Sequence, residues 1–182
     1  MPAPRGPEAE LAAQLELGTS KTVSHLILEA PKPEWVDAAG LEDPERLLWP
    51  IDEGMLWRGL QRAQRGKTIP KLKWKPAHKG LDIGAPQGSA IRAVQSGIVA
   101  YADNGIRGYG NLLVTVHPDN SAAFYAHCRA VYVFPGQYVV RGQVVGEVGS
   151  TGITRGPHLH FEYRKNGRLR DPLKLFEPKP TS

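Results

Sequence analysis

From about Leu48 onward the chain is a series of short apolar runs separated by glycine and other turn residues: SAIRAVQSGIVAYADN, NLLVTVHP, SAAFYAHC, AVYVFPGQYV, GQVVGEVG and HLHFEYRKNG. The runs are rich in β-branched and aromatic residues and return at a spacing of roughly ten residues, the signature of successive antiparallel strands. Asn166-Gly167 behind FEYRK predicts a hairpin turn of the primed type. Two stretches echo one another, IRAVQSGIVAYAD and VFPGQYVVRGQVVGEVG; each sets a glycine between β-branched runs, as at the corner of a barrel. No run of helical length stands out in this half, so the predicted class is mainly β.

The first part of the chain reads differently. Residues 1–20 hold few large apolar groups outside LAAQLEL and predict a ragged or loosely helical start. Residues 21–50 combine a strand-like TVSHLIL with PKPEWVDAAG and LEDPERLLW. They predict a wrapping segment with one short helix near Pro44–Leu48, and a structural role for His25. The organisation that follows is an extension over residues 1–47 and a β domain over residues 48–178 of the 182.

Charge sharpens that division. Residues 1–57 carry 4 Lys/Arg against 11 Asp/Glu, whereas residues 58–182 carry 19 against 7, within a total of +5. A basic domain is drawn to polyanions, whether nucleic acid, anionic lipid or an acidic cell-wall polymer. The densest basic stretch, Arg58 to Lys79, is accompanied by no nucleic-acid-binding motif, so no nucleic-acid partner is expected. No apolar run approaches the ~18 residues of a membrane span. The opening MPAPRGPEAELAAQ lacks the apolar core of a secretory signal, so an envelope location calls for a removed signal or another export route. The single cysteine, Cys128, excludes an intramolecular disulfide and reads as a small core residue facing away from His127.

Candidate chemistry is concentrated in three motifs that hold four of the six histidines: His78-x-x-x-Asp82 in AHKGLDIGAP, His127 in FYAHC, and His158-x-His160 in GPHLHFEY. Each alone is ordinary, since a lone histidine is more often a surface or core residue than a ligand. In a strand, however, residues two apart face the same way, so the imidazoles of His158 and His160 would meet one metal or one substrate. Gly80, Gly84 and Pro86 frame the first motif, and Gly152, Gly156 and Pro157 precede the last, marking tight turns that deliver side chains to a groove. Together the motifs supply nitrogen ligands, a carboxylate and spare proton-transfer groups, the inventory of a catalytic zinc site.

On these residues the stretch from about Trp49 to Phe176 resembles the lysostaphin-type (LytM-type) zinc metalloendopeptidases, which cut peptides in bacterial peptidoglycan. The matching pieces are HKGLDIGAPQGSAIRAVQSGIVAYAD, GYGNLLVTVHPDNSAAFYAHC, GQYVVRGQVVGEVGSTGITRGPHLHFEYRKNG and the closing DPLKLF. The resemblance implies an antiparallel β-sheet, barrel-sandwich hybrid fold (a duplicated hybrid motif). It implies that His78, Asp82 and His160 bind zinc, with His127 and His158 as unligated catalytic histidines. The expectation is a monomer acting on peptidoglycan, in the periplasm or at the cell wall, with a direct D-Ala–diaminopimelate cross-link and a glycine bridge both open as the bond cut. The chain departs from the family at Cys128, where leucine is usual, and in MLWRGLQRAQRGKTIPKLKWKPAH, which matches only loosely.

Two other readings use the same residues. One is a non-catalytic module on this fold that binds cell wall or activates an amidase; relatives of that kind have usually lost zinc ligands, and this chain keeps them all. The other is an acyl-carrier hammerhead, suggested by VFPGQYVVRGQVVGEVG. A swinging cofactor needs a lysine at a hairpin tip, and none lies between Lys79 and Lys165.

Overall fold

The computed structural model describes residues 46–61 and 78–177. The strands are β1 (Met55–Arg58), β2 (Leu81–Gly84), β3 (Ala90–Arg92), β4 (Gly97–Asp103) and β5 (Asn111–Val116) in the first half. They are followed by β6 (Ser121–Val131), β7 (Tyr138–Val139), β8 (Val144–Val148), β9 (His158–Lys165) and β10 (Arg168–Arg170), with one 3-10 turn at Pro172–Lys174. Every strand pair is antiparallel. The main path runs β1-β2-β9-β6-β5-β4-β7, with β10 on β9 and β8 joining β3 to β6. The mainly β expectation is met.

Alternation along the central strands divides the interior in two. On β6, Ala123 and Tyr125 enter one core, shared with Leu81, Ile83, Leu113, Leu159, Phe161 and Tyr163. Ala122, Phe124 and Ala126 enter the other, with Tyr101, Leu112, Val114 and Val116. Strand β6 is therefore covered on both faces, which explains its near-continuous apolar sequence. Strands β2 and β9 send only one face into the first core, leaving Asp82, His158, His160 and Glu162 on the other. A one-residue slip of β9 would drive these polar groups into the core and expel Leu159 and Phe161. Burial of each such side chain is worth about 1.5–3 kcal/mol, so the register is strongly specified.

The two echoing segments pair with one another. Strand β3 of the first lies on β8 of the second, and β4 of the first lies on β7 of the second. The corners interlock as well: Ala93 N–H donates to Gln143 O at 2.9 Å, and Gly136 N–H donates to Val99 O at 2.8 Å. The expected primed turn is present, with φ of 51° at Asn166 and 68° at Gly167.

One expectation is corrected. The described part of Pro44–Leu48 is not helical; Leu47 forms a parallel bridge with Phe176. Its N–H donates to Leu175 O at 2.7 Å, and its carbonyl accepts from Glu177 N–H at 2.8 Å. Leu47 is buried in the first core, and that burial, together with a ready backbone partner, outweighs local helix preference. Residues 1–45, with TVSHLIL and His25, and residues 62–77 of the basic stretch lie outside the described residues. Among the described residues no helix is long and apolar enough to cross a membrane.

Candidate metal and catalytic site

The β2–β9 register sets Asp82 opposite His160 and Gly84 opposite His158. Facing residues of an antiparallel pair project to the same side, so the carboxylate and both imidazoles share one surface. His78, just ahead of β2, completes the group. Its Nδ1–H donates to Gly59 O at 2.8 Å, a carbonyl that can only accept, and its Nε2 lies 2.9 Å from Asp82 Oδ1. His160 Nδ1 lies 2.8 Å from the same oxygen, while its Nε2–H donates to Glu162 Oε1 at 3.3 Å.

That wiring decides what the cluster can hold. With the donating nitrogen of each neutral ring spent on an oxygen elsewhere, the nitrogens turned toward Asp82 carry lone pairs. Two lone pairs and a carboxylate oxygen then converge, with ligand atoms of His78, Asp82 and His160 within 4.8 Å of one another. Such a set repels itself unless a cation or a proton lies between its members. Two imidazole nitrogens and one carboxylate, open on the groove side, fit a four-coordinate zinc ion with one free position.

Glu162 was not singled out by the sequence reading. It is fully buried, and its side chain receives Tyr109 OH at 2.7 Å and Arg164 Nη2–H at 2.6 Å besides His160. A carboxylate behind a ligating imidazole fixes the tautomer that turns Nδ1 to the metal. The alternation His158, His160, Glu162 along β9 was the signal that could have found it.

His127 arrives by a different route. On a regular β6 it would follow Tyr125 into the first core, two positions on. Between the pairs Asn111↔Cys128 and Leu113↔Tyr125, however, β6 spends one residue more than β5. The extra residue is His127, in the left-handed region at φ 63°. Asparagine, aspartate and histidine tolerate that region better than most side chains. The bulge gives the core position to Cys128, whose thiol burial pushes up to about 12, and swings His127 to the site face. There its ring centroid is 4.8 Å from that of His158 and 5.9 Å from that of His160. Its N–H donates to Tyr109 O and its Nδ1–H to Thr151 O, each at 2.8 Å. His158 is held in the same manner, Nδ1–H donating to Gly156 O at 2.9 Å. Both rings thus present a bare Nε2 to the groove.

Burial opposes the charge on Asp82, but hydrogen bonds and positive charge from His160 and His78 outweigh it and bring the carboxyl to about 2. Glu162 is likewise penalised by burial yet reaches about 2 through His160 and Arg164. Burial also disfavours the His160 cation, and the two carboxylates overcome this to raise it to about 9. His127 goes the other way: burial pushes it down to about 4, the Thr151 carbonyl opposing only in part. A proton therefore sits on His160 in the metal-free protein at neutral pH, and an incoming metal must displace it.

The cluster lies in a groove of about 900 Å³, walled by Trp57 and Arg58 of β1 and by Gly108, Tyr109 and the loop Ile153–Gly156. Trp57 lies flat on Gly84, where a Cβ would stand 1.8 Å from the indole, and its ring is 6.1 Å from that of His158. Of the remaining described histidines, His117 is buried away from the groove lining, its Nδ1–H donating to Ser96 O at 2.9 Å. The structure thus brings His78, Asp82, His127, His158 and His160 into one groove, along with Trp57 and Tyr109, while Glu162 lies buried behind His160.

Residues 76–172 match the family described as peptidase family M23. The murein hydrolase activator NlpD of Escherichia coli is 43% identical over 97 residues, which are 53% of this chain and 25% of that protein. The DD-carboxypeptidase/endopeptidase Mpg of Neisseria meningitidis is 40% identical over 103 residues, 57% of this chain and 24% of its own length. The chain thus spans about a quarter of the length of these curated relatives. Among solved structures, a zinc-containing peptidase from Vibrio cholerae superposes with a TM-score of 0.61 at 30% identity, covering 71% of this chain and 40% of that one.

Proposed function

This chain belongs to peptidase family M23, and from that membership and the convergent His78, Asp82 and His160 donors we propose that it is a zinc-dependent metalloendopeptidase of bacterial peptidoglycan. The observation that carries the reading is the donor geometry: three ligand atoms within 4.8 Å, open to a groove. His78 through Nε2, His160 through Nδ1 and Asp82 through Oδ1 would hold the ion. A zinc ion held there would supply Lewis acidity, lowering the pKa of a bound water toward about 7 and polarising the scissile carbonyl.

The remaining work falls to the two unligated histidines. Each has its Nδ1–H tied to a backbone carbonyl, so each offers Nε2 as a proton acceptor beside the ligand cluster. One takes the proton of the attacking water; the other meets the oxyanion or returns a proton to the leaving amine. Glu162 keeps His160 in its ligating tautomer, and Thr151 O does the same service for the bare Nε2 of His127. The site of action is the cell wall.

The name of the Escherichia coli relative, an activator, raises a second reading in which the domain binds without cutting. The complete donor triad favours hydrolysis. Purified protein should carry about one zinc per chain, as three ligands and an open position require, and should release new amino termini from isolated peptidoglycan, read by mass spectrometry. Full zinc occupancy without new termini would leave the binding reading in its place.

A further inference from the structure

The floor and the walls of the groove differ in charge. Asp82 is the only carboxylate among the described lining residues, and it is enclosed by His78, His158 and His160. Glu162 lies beneath, buried and paired with Arg164. The walls carry two guanidinium groups, Arg58 on β1 and Arg155 on the loop leading into β9. Arg58 stands opposite Asp82 in the β1–β2 register, and its Nη2–H donates to Gln61 Oε1 at 3.0 Å. Arg155 is exposed and has no hydrogen bond or ion pair with any described residue. The preceding Thr154 places its Oγ1 3.1 Å from His158 Nδ1, which keeps this part of the loop against the proton-transfer end of the cluster. A divalent cation on the His78, Asp82 and His160 donors would more than cancel the Asp82 charge, leaving the described lining of the groove net positive.

A positive groove lined by a guanidinium that no described residue engages calls for a substrate carboxylate. We propose that Arg155, with Arg58 on the same groove, binds a free carboxylate on a residue flanking the scissile bond. The site thereby selects direct cross-links between stem peptides over uncharged oligoglycine bridges. The inference rests on the peptidoglycan reading above and narrows its substrate. In a direct cross-link to diaminopimelate the carbon that bears the scissile nitrogen also bears a free carboxylate. The interior of a glycine bridge offers only neutral amides. The planar fork of arginine matches a carboxylate with two parallel hydrogen bonds, so it can both recognise and align the peptide. Trp57 and the exposed Ile153 supply the apolar surfaces against which the backbone lies.

The test uses the zinc-loaded full chain and two synthetic peptides that differ only in a free carboxylate or a carboxamide next to the scissile amide, with pentaglycine as a third substrate. The wild-type protein should cleave the carboxylate peptide with kcat/KM about tenfold or more above its amide twin, the scale of one charge-assisted hydrogen bond. Arg155→Ala should erase that preference through KM on the carboxylate peptide alone, with zinc content and the carboxamide rate unchanged; Arg155→Lys should keep part of it. Equal cleavage of the twins by wild type, faster cleavage of pentaglycine, or an equal loss on both twins in Arg155→Ala would overturn the assignment. Calorimetric binding of the same peptides separates this inference from the hydrolase reading. If nothing is cut, only that reading fails; a carboxylate preference in binding that Arg155→Ala removes still supports the recognition, and its absence overturns it.

Discussion

At the scale of single residues, one oxygen, Asp82 Oδ1, organises the chemistry: His78, His158 and His160 all lie within 3.6 Å of it. Asp82→Ala and His160→Ala should therefore lose zinc and hydrolysis together, measured by metal analysis and a peptidoglycan assay. His127→Ala and His158→Ala should retain zinc and fall by roughly a hundredfold or more in rate, the usual cost of losing a proton-transfer group. Loss of metal in either of the latter would move that histidine into the ligand set. The metal-free protein should also show a distinctive pH profile. His160 is raised from 6.5 to about 9, so its stabilisation is complete below 6.5 and is lost as pH rises through 9. His127 is depressed to about 4, so stability falls as pH drops from 6.5 toward 4 and the unfolded chain alone takes up the proton. Asp82 and Glu162, both near 2, withdraw their contribution at still lower pH. The melting temperature without metal should peak near pH 6.5, and saturating zinc should flatten the alkaline side. A peak at pH 9 would contradict the assignment of His160. The members of the cluster were legible in the sequence as three short motifs, and the division into ligands and unligated histidines came from the family resemblance; Trp57 was not legible, lying in the stretch that matches the family only loosely.

At the scale of elements, the decisive feature is the bulge at His127 and the loop that locks it. Thr151 Oγ1–H donates to Cys128 O at 2.8 Å and its oxygen accepts from Asn111 N–H at 3.0 Å, while the Thr151 carbonyl accepts from His127 Nδ1–H. Gly110 makes room for this contact: at φ 64° it is left-handed, and a Cβ would lie 2.4 Å from Thr151. Gly110→Ala should therefore push Thr151 away, lower the rate about tenfold or more through lost orientation, and leave zinc bound. Its backbone strain alone, about 1–2 kcal/mol, should lower the melting temperature by several degrees. Gly88→Ala is the control, since Gly88 has φ 90° with nothing near its missing Cβ. It should cost stability without touching the rate. Equal rates for both variants would dismiss the lock. The strands and the Asn166-Gly167 hairpin were readable from alternation and turn chemistry, whereas the described part of Pro44–Leu48, where a helix was expected, is extended, because Leu47 found a strand partner 129 positions away at Phe176.

At the scale of the molecule, that same bridge ties the two ends of the described domain together. Leu47 and Phe176 both enter the first core, and Trp49 meets Phe176 edge to face at 4.8 Å. Leu47→Ala should cost about 2–5 kcal/mol, the range for truncating a buried leucine, seen as a lower melting temperature with unchanged zinc affinity. A shift in zinc affinity would show that the tie reaches the site. What the sequence determined by itself is whatever an extended chain settles locally: the β class, the hairpin turn, and a β9 face shared by His158, His160 and Glu162, since side chains two apart must point the same way. The tertiary structure alone decided which distant residues share that face. Asp82 meets His160 across 78 positions only through the β2–β9 register. His127 reaches the groove only because β5 is one residue short against β6, and Arg155 lines the groove on a loop that lies against Gly108 and Gly110. Alternation belongs to each strand; register and bulges are set by how strands pack their cores against one another, and no single stretch of sequence carries that information.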